Sequence, residues 1–182
     1  MVKVHIFYRI FAASNQQLFM YKIRVILDSK EDVIRTICVN NSIHLEVLHF
    51  TIAKSFGFNG QQMASFYRTD AEWNQGEEIP LFDMGDEDVE QSMKNYYLQD
   101  TLPKTNEKLI YVYDFLNLWT FYVEVIDINS DVIDAPNILL SVGEIPADAP
   151  EKEFKAAPIE NDIFGEEEDS FDDYDEFDYN AY

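Results

Sequence analysis

Few residues in this chain have types that do chemistry, and their spacing decides what they can form. His44 and His49 stand five positions apart in a stretch of helical apolar spacing. Five residues turn a helix by about 140° past a full turn, so the pair cannot share one metal ion without distortion. His49 is therefore expected to be a helix histidine bonded to a neighbouring strand. Asp70-x-Glu72-x-Asn74 begins like a calcium loop. The glycine that such a loop requires falls one place late, at Gly76, and Leu81 occupies the position of the bidentate acid. Cys38 is the single cysteine, which excludes an intrachain disulfide and a cysteine-based zinc knuckle. It lies in an apolar run, where a small buried hydrophobe is expected. Asp114 sits at the end of a strand-like run, where an aspartate ordinarily closes a turn. The sequence holds no glycine-rich phosphate cradle, no Gly-x-Ser-x-Gly elbow and no His-x-x-x-His spacing. No cofactor and no metal is expected.

The elements that position these residues are readable from Met20 onward. Tyr21, Ile23, Val25 and Leu27 alternate with Lys22 and Arg24, which predicts a strand. Asp28-Ser29-Lys30 supplies a turn, and Val33–Val39 the returning strand. Asn40-Asn41-Ser42 suggests a helix N-cap, and Leu45, Leu48, Ile52 and Phe56 recur at helical spacing up to Gly57. Met63–Arg68 reads as a third strand, followed by a loop with a short extended piece from Trp73 to Leu81. Val89, Met93 and Tyr96 or Tyr97 suggest a second helix over Glu87–Leu98. Two further strands, Leu109–Phe115 and Trp119–Ile128, flank a short turn. This order predicts an α+β domain with a largely antiparallel sheet packed against two helices.

Charge divides the chain. The 182 residues carry a formal net charge of −22. Residues 1–143 hold 20 acids and 11 bases, whereas residues 144–182 hold 15 acids and 2 bases. The bases of the body are scattered singly, so nucleic-acid binding is possible only through a patch built by folding and is disfavoured by charge. No apolar stretch reaches the roughly 18 residues of a membrane helix, and no membrane association is expected. The first 19 residues hold Lys3, His5 and Arg9 and no acid. A signal peptide is one reading; Arg9 interrupts its apolar run, which favours the rival reading of an over-extended start before Met20. That choice and the lone cysteine point to the cytoplasm. Residues 144–158, with four alanines and three prolines, suit a linker or an edge wrap. Residues 159–182 carry 11 acids and no base and are expected to be disordered.

The core Tyr111-x-Tyr113-Asp114-Phe115-x-x-x-Trp119 resembles the plasmid pRiA4b ORF-3-like family, also labelled insertion-element passenger proteins. His49 after Leu48, and the block from Phe66 through Trp73 to Met84, are similar to its Bacteroidetes-like branch. The matching blocks cover about residues 20–143. The family carries no agreed activity, so the resemblance implies a fold and a set of structural motif residues: His49, Trp73, Tyr111, Tyr113, Asp114, Phe115 and Trp119. It also implies histidines and a Gly-Asp pair where this chain has Gln62, Phe121 and Leu116-Asn117. A phenyl ring neither ligates a metal nor transfers a proton, so a non-catalytic protein is expected. Trp73 and Trp119 are read as core or lid aromatics, since no basic residues flank them.

Phe171, Tyr174, Phe177 and Tyr179 punctuate the acidic tail. A solubilising tail needs charge but not aromatic anchors, so the pattern suggests a peptide that docks into a protein partner or, equally, into a basic groove on its own domain. The expected function is a cytoplasmic interaction protein whose tail binds that unidentified partner. An accessory to nucleic-acid or mobile-element transactions is the alternative, and a hydrolase or nuclease with a degenerate site a remote third.

Overall fold

Alternating apolar residues need a surface to bury against, and in this chain that surface is one helix laid on a sheet. The computed structural model describes residues 18–82, 92–131 and 133–151. Seven strands form one sheet: β1 (Met20–Leu27), β2 (Ile34–Asn40), β3 (Ala64–Thr69), β4 (Gln75–Pro80), β5 (Lys108–Tyr113), β6 (Trp119–Asn129) and β7 (Asn137–Val142). Their spatial order is β4-β3-β5-β6-β1-β2-β7, and every neighbouring pair is antiparallel. The helices are α1 (Leu45–Ser55) and the short α2 (Leu98–Thr101). This is the α+β architecture that the sequence predicts.

One face of the sheet is the core. Tyr21, Ile23, Val25 and Leu27 on β1 meet Val123, Val125 and Phe121 on β6, and all seven are buried. Leu45, Leu48 and Ile52 on α1 close over that face with no exposed surface. Burying a side chain of this size stabilises the fold by roughly 1.5–3 kcal/mol. Phe56 follows the helix onto Phe121, ring centroids 4.7 Å apart.

Three local expectations need correction. The first helix starts at Leu45 with His44 as N-cap and no side-chain cap, so Ser42 does not begin it. The reason is long-range: the Leu98 N–H donates to the Ile43 carbonyl and the Leu45 N–H to the Tyr96 carbonyl, holding His44 extended opposite Tyr97 until the helix begins. The second helix was expected over Glu87–Leu98, of which 83–91 lie outside the described residues. The remainder is a single 3₁₀ turn at Met93–Asn95 and a β-bridge between Tyr97 and His44, with α2 beginning only at Leu98. The short extended piece expected within Trp73–Leu81 is a six-residue strand, Gln75–Pro80. Asn137–Val142, where the apolar pattern loses its period, is the seventh strand. Beyond it, Ile145 and Ala149 still pack partly against the core.

Candidate functional site

Of the two described histidines, His49 is the one that bonds to a strand residue. It lies on the sheet-facing side of α1 with no exposed surface. Its Nε2 is 3.2 Å from the Gly60 carbonyl and its Nδ1 2.8 Å from the Tyr111 hydroxyl on β5. A carbonyl only accepts, so Nε2 carries the proton and Nδ1 accepts from the phenol. Burial holds His49 below its ordinary pKa, against the weaker pull of the Gly60 carbonyl and Glu46. Burial also holds the Tyr111 phenol well above its ordinary value, with Tyr113 adding to the effect. Gly60 adopts φ +73, and a Cβ there would lie 2.8 Å from the Phe50 ring, so glycine alone offers its carbonyl to the imidazole without strain. Both ring nitrogens are used, and the pair forms a closed polar node within an aromatic core.

The other motif residues surround this node or the turn beside it. Tyr113 reaches out of the core to donate to the Asn59 side-chain oxygen at 3.1 Å. Trp119 is buried against Phe58, ring centroids 5.1 Å apart. Asp114 sits in the left-handed region at φ 59 and organises the β5–β6 turn. Its carboxylate accepts from the Leu116 N–H at 3.2 Å and from the Asn117 amide at 2.7 Å, while its carbonyl accepts from the N–H groups of Asn117 and Leu118. Phe115 and Leu116 project from the tip of that turn, Leu116 with 93% of its surface open.

Trp73 stands apart, half-buried on the open face of the sheet. Its ring meets Tyr122 edge-on at 4.8 Å, and the Lys108 ammonium lies 4.6 Å over it. The expectation that no base flanks this tryptophan holds only along the sequence; folding brings Lys108 to it. Asp70 in the aborted calcium loop is likewise committed to its own turn. It accepts from the N–H groups of Glu72 and Asn74 and from the Asn74 amide, and these bonds, with Asn74 foremost, hold its carboxyl below the usual range.

A cleft of about 320 Å³ opens among Arg68, Asp70, Thr101, Asn106, Glu107 and Lys108. Its charged groups already have partners: Arg68 bonds Glu77, Lys108 the Ala71 carbonyl, and Glu107 the Lys104 N–H. Cys38 is buried, and burial pushes its thiol up, which suits a packing role. Among the described residues no three His, Cys, Asp or Glu side chains are placed to hold a metal ion. Nor is any described helix long and apolar enough to cross a membrane.

Sequence reasoning missed Arg35. It is buried, yet it has no carboxylate partner among its bonds. Its Nε donates to the Ser55 carbonyl at the end of α1, and one Nη to the Val142 and Gly143 carbonyls at the end of β7. The guanidinium also lies 4.8 Å over the Phe56 ring. One side chain thus ties the helix C-terminus, where the dipole favours a cation, to the edge of the sheet. Phe171, Tyr174, Phe177 and Tyr179 of the expected docking tail lie outside the described residues.

Comparison with known proteins agrees with this picture of a defined fold. The crystal structure of MM3350, a protein of unknown function from Methanosarcina mazei Go1, is similar with a TM-score of 0.55 and 19% identity, covering 68% of this chain and 70% of that one. At that identity the likeness is one of fold. No curated protein matches the chain. Residues 19–151 match the family model described as plasmid pRiA4b ORF-3-like protein, and that match spans the strands and helices above. The chain belongs to the plasmid pRiA4b ORF-3-like protein family.

Proposed function

We infer that this chain is a non-catalytic interaction protein of the cytoplasm, with the sheet domain as scaffold and the acidic–aromatic tail as its partner-binding peptide. The observation that carries the reading is the commitment of His49, Asp70 and Asp114 to the fold. His49 has both nitrogens bonded in a closed space, and Asp70 and Asp114 hold turns. A general base needs a free lone pair within reach of a substrate proton, and His49 offers none. The tail supports the second half by composition: four aromatics spaced among acids are anchors of the kind that fill apolar pockets on a basic surface.

The test is affinity capture from nuclease-treated lysate with the full chain beside a full chain carrying Phe171, Tyr174, Phe177 and Tyr179→Ser. The substitutions keep every charge. The expected result is a defined protein recovered by the native tail and lost with the substituted one. The same set recovered by both chains overturns the reading. Nucleic acid retained by both chains in a parallel capture from untreated lysate would replace it with the alternative, an accessory to nucleic-acid or mobile-element transactions.

A further inference from the structure

The two edges of the sheet are built differently. β4 carries Glu77, Glu78 and Pro80, and Arg68 pairs with Glu77. Charge and proline are the usual devices that keep an edge from pairing with another chain. β7, Asn137-Ile-Leu-Leu-Ser-Val142, has no charge and no proline. All six residues are exposed, with Ile138 at 50%, Leu139 at 54%, Leu140 at 50% and Val142 at 39%. Among the described residues β2 is its only strand partner, and none of them pairs with its outer edge.

The alternation of a strand makes both faces of this edge apolar. Ile138 pairs with Ile37, whose side chain lies on the helix-covered face, and Leu140 and Val142 pair with Thr36 and Ile34, which point the other way. Leu139 lies in the register shift between them. Four large side chains, each open over about half its surface, make a patch on the order of a few hundred Å², the size of the largest apolar patch on a typical monomer, which is often functional.

We propose that β7 is the contact strand of a two-fold dimer, pairing antiparallel with β7 of a second copy. Charge selects this occupant. An acidic or basic peptide finds no counter-charge on β7, whereas the same uncharged strand turned by a two-fold axis matches it on both faces. The pairing extends an all-antiparallel sheet without changing its pattern. The charged β4 edge stops it at two copies, so the assembly closes instead of growing into a fibre. A six-residue strand pair buries less than the roughly 1,000 Å² of a stable interface, so the dimer is weak and concentration-dependent. Each copy carries −22, so added salt screens their repulsion and tightens it.

The test is light scattering on the full chain across about 1 µM to 1 mM, with hydrogen exchange of residues 137–142 followed at both ends of that range. The expected mass rises from 21.3 kDa toward twice that value, and exchange over 137–142 slows as it does. An Ile138→Lys/Leu140→Lys chain, altered only at half-exposed positions, keeps its circular dichroism and unfolding midpoint and stays monomeric throughout. A second pair, Glu77→Ala/Glu78→Ala, leaves the dimer intact. A native chain that stays monomeric overturns the proposal. So does a dimer that survives the lysines. Concentration-independent protection of 137–142 also overturns it, because that assigns the edge to residues 1–17 or 152–182 of the same chain.

Discussion

The His49 imidazole accepts a hydrogen bond from the Tyr111 hydroxyl at 2.8 Å, across the seam where α1 meets β5. This contact lies at the centre of an aromatic cluster that includes Phe66, Phe121 and Tyr113. It fixes the roll of the helix on the sheet, because an unpaired imidazole nitrogen there has no water to turn to. A Tyr111→Phe chain keeps the ring and strips the donor. The expected loss is about 1–3 kcal/mol in urea unfolding, with the fold retained. A His49→Leu/Tyr111→Phe double variant loses less than the sum of the two single changes, which identifies a coupled pair. A neutral Tyr111→Phe would contradict the assignment.

The same node sets a pH dependence. Burial holds the folded His49 below its ordinary 6.5, so the unfolded chain takes up a proton first as pH falls. Stability is therefore full above about 6.5 and declines as pH drops from there toward the folded pKa, with no further loss from this group below it. Denaturation midpoints measured from pH 8 to pH 5 check the slope. A His49→Gln chain should be less stable overall and should lack that part of the slope.

Asp114 holds its turn by two separable features, a carboxylate acceptor and a left-handed backbone. Asparagine supplies an oxygen and tolerates that backbone, so Asp114→Asn should stay within about 0.5 kcal/mol of the native chain. Asp114→Ala loses both and should cost about 1–2 kcal/mol. Glycine restores the backbone alone and should fall between them. Thermal unfolding of the three chains orders the series; an alanine chain as stable as the asparagine one would refute it.

Arg35 predicts a mechanical coupling between α1 and β7. In Arg35→Met the carbonyls of Ser55, Val142 and Gly143 lose a charged donor while the packing over Phe56 is largely kept. About 2 kcal/mol or more should be lost, and hydrogen exchange should accelerate first in residues 137–142. Arg35→Lys should recover only part, because a point charge cannot reach both sides as the planar fork does. Gly143→Ala should loosen the same strand by another route: its φ is +69, and the Asp32 carbonyl stands where a Cβ would go.

Much of the fold is legible in the residues because the sheet has one buried face. Tyr21, Ile23, Val25 and Leu27 alternate cleanly, and the same holds for Trp119, Phe121, Val123 and Val125 on β6. The stripe Leu45, Leu48, Ile52 is equally plain. β7 was not legible because both its faces are open and its register shifts opposite Thr36 and Ile37, so Ile138, Leu139 and Leu140 show no period. β4 hid behind Gly76, Glu77 and Glu78, with Ile79 its single buried residue. At the candidate site, the helical setting of His49 follows from local spacing. Its partner does not, since Tyr111 is 62 positions away and only the β3–β5 pairing brings it under α1. Arg35 escaped notice for the same reason: an arginine in a strand looks solvent-facing until the helix end and the edge strand close around it.

We propose that this chain acts through contacts made by its tail, and the most direct measurement is displacement of the protein captured by the full chain with a free peptide of residues 159–182. The expected result is release in proportion to peptide concentration, and no release by a peptide of equal charge in which Phe171, Tyr174, Phe177 and Tyr179 are serine. Release by both peptides alike, or by neither, would contradict it.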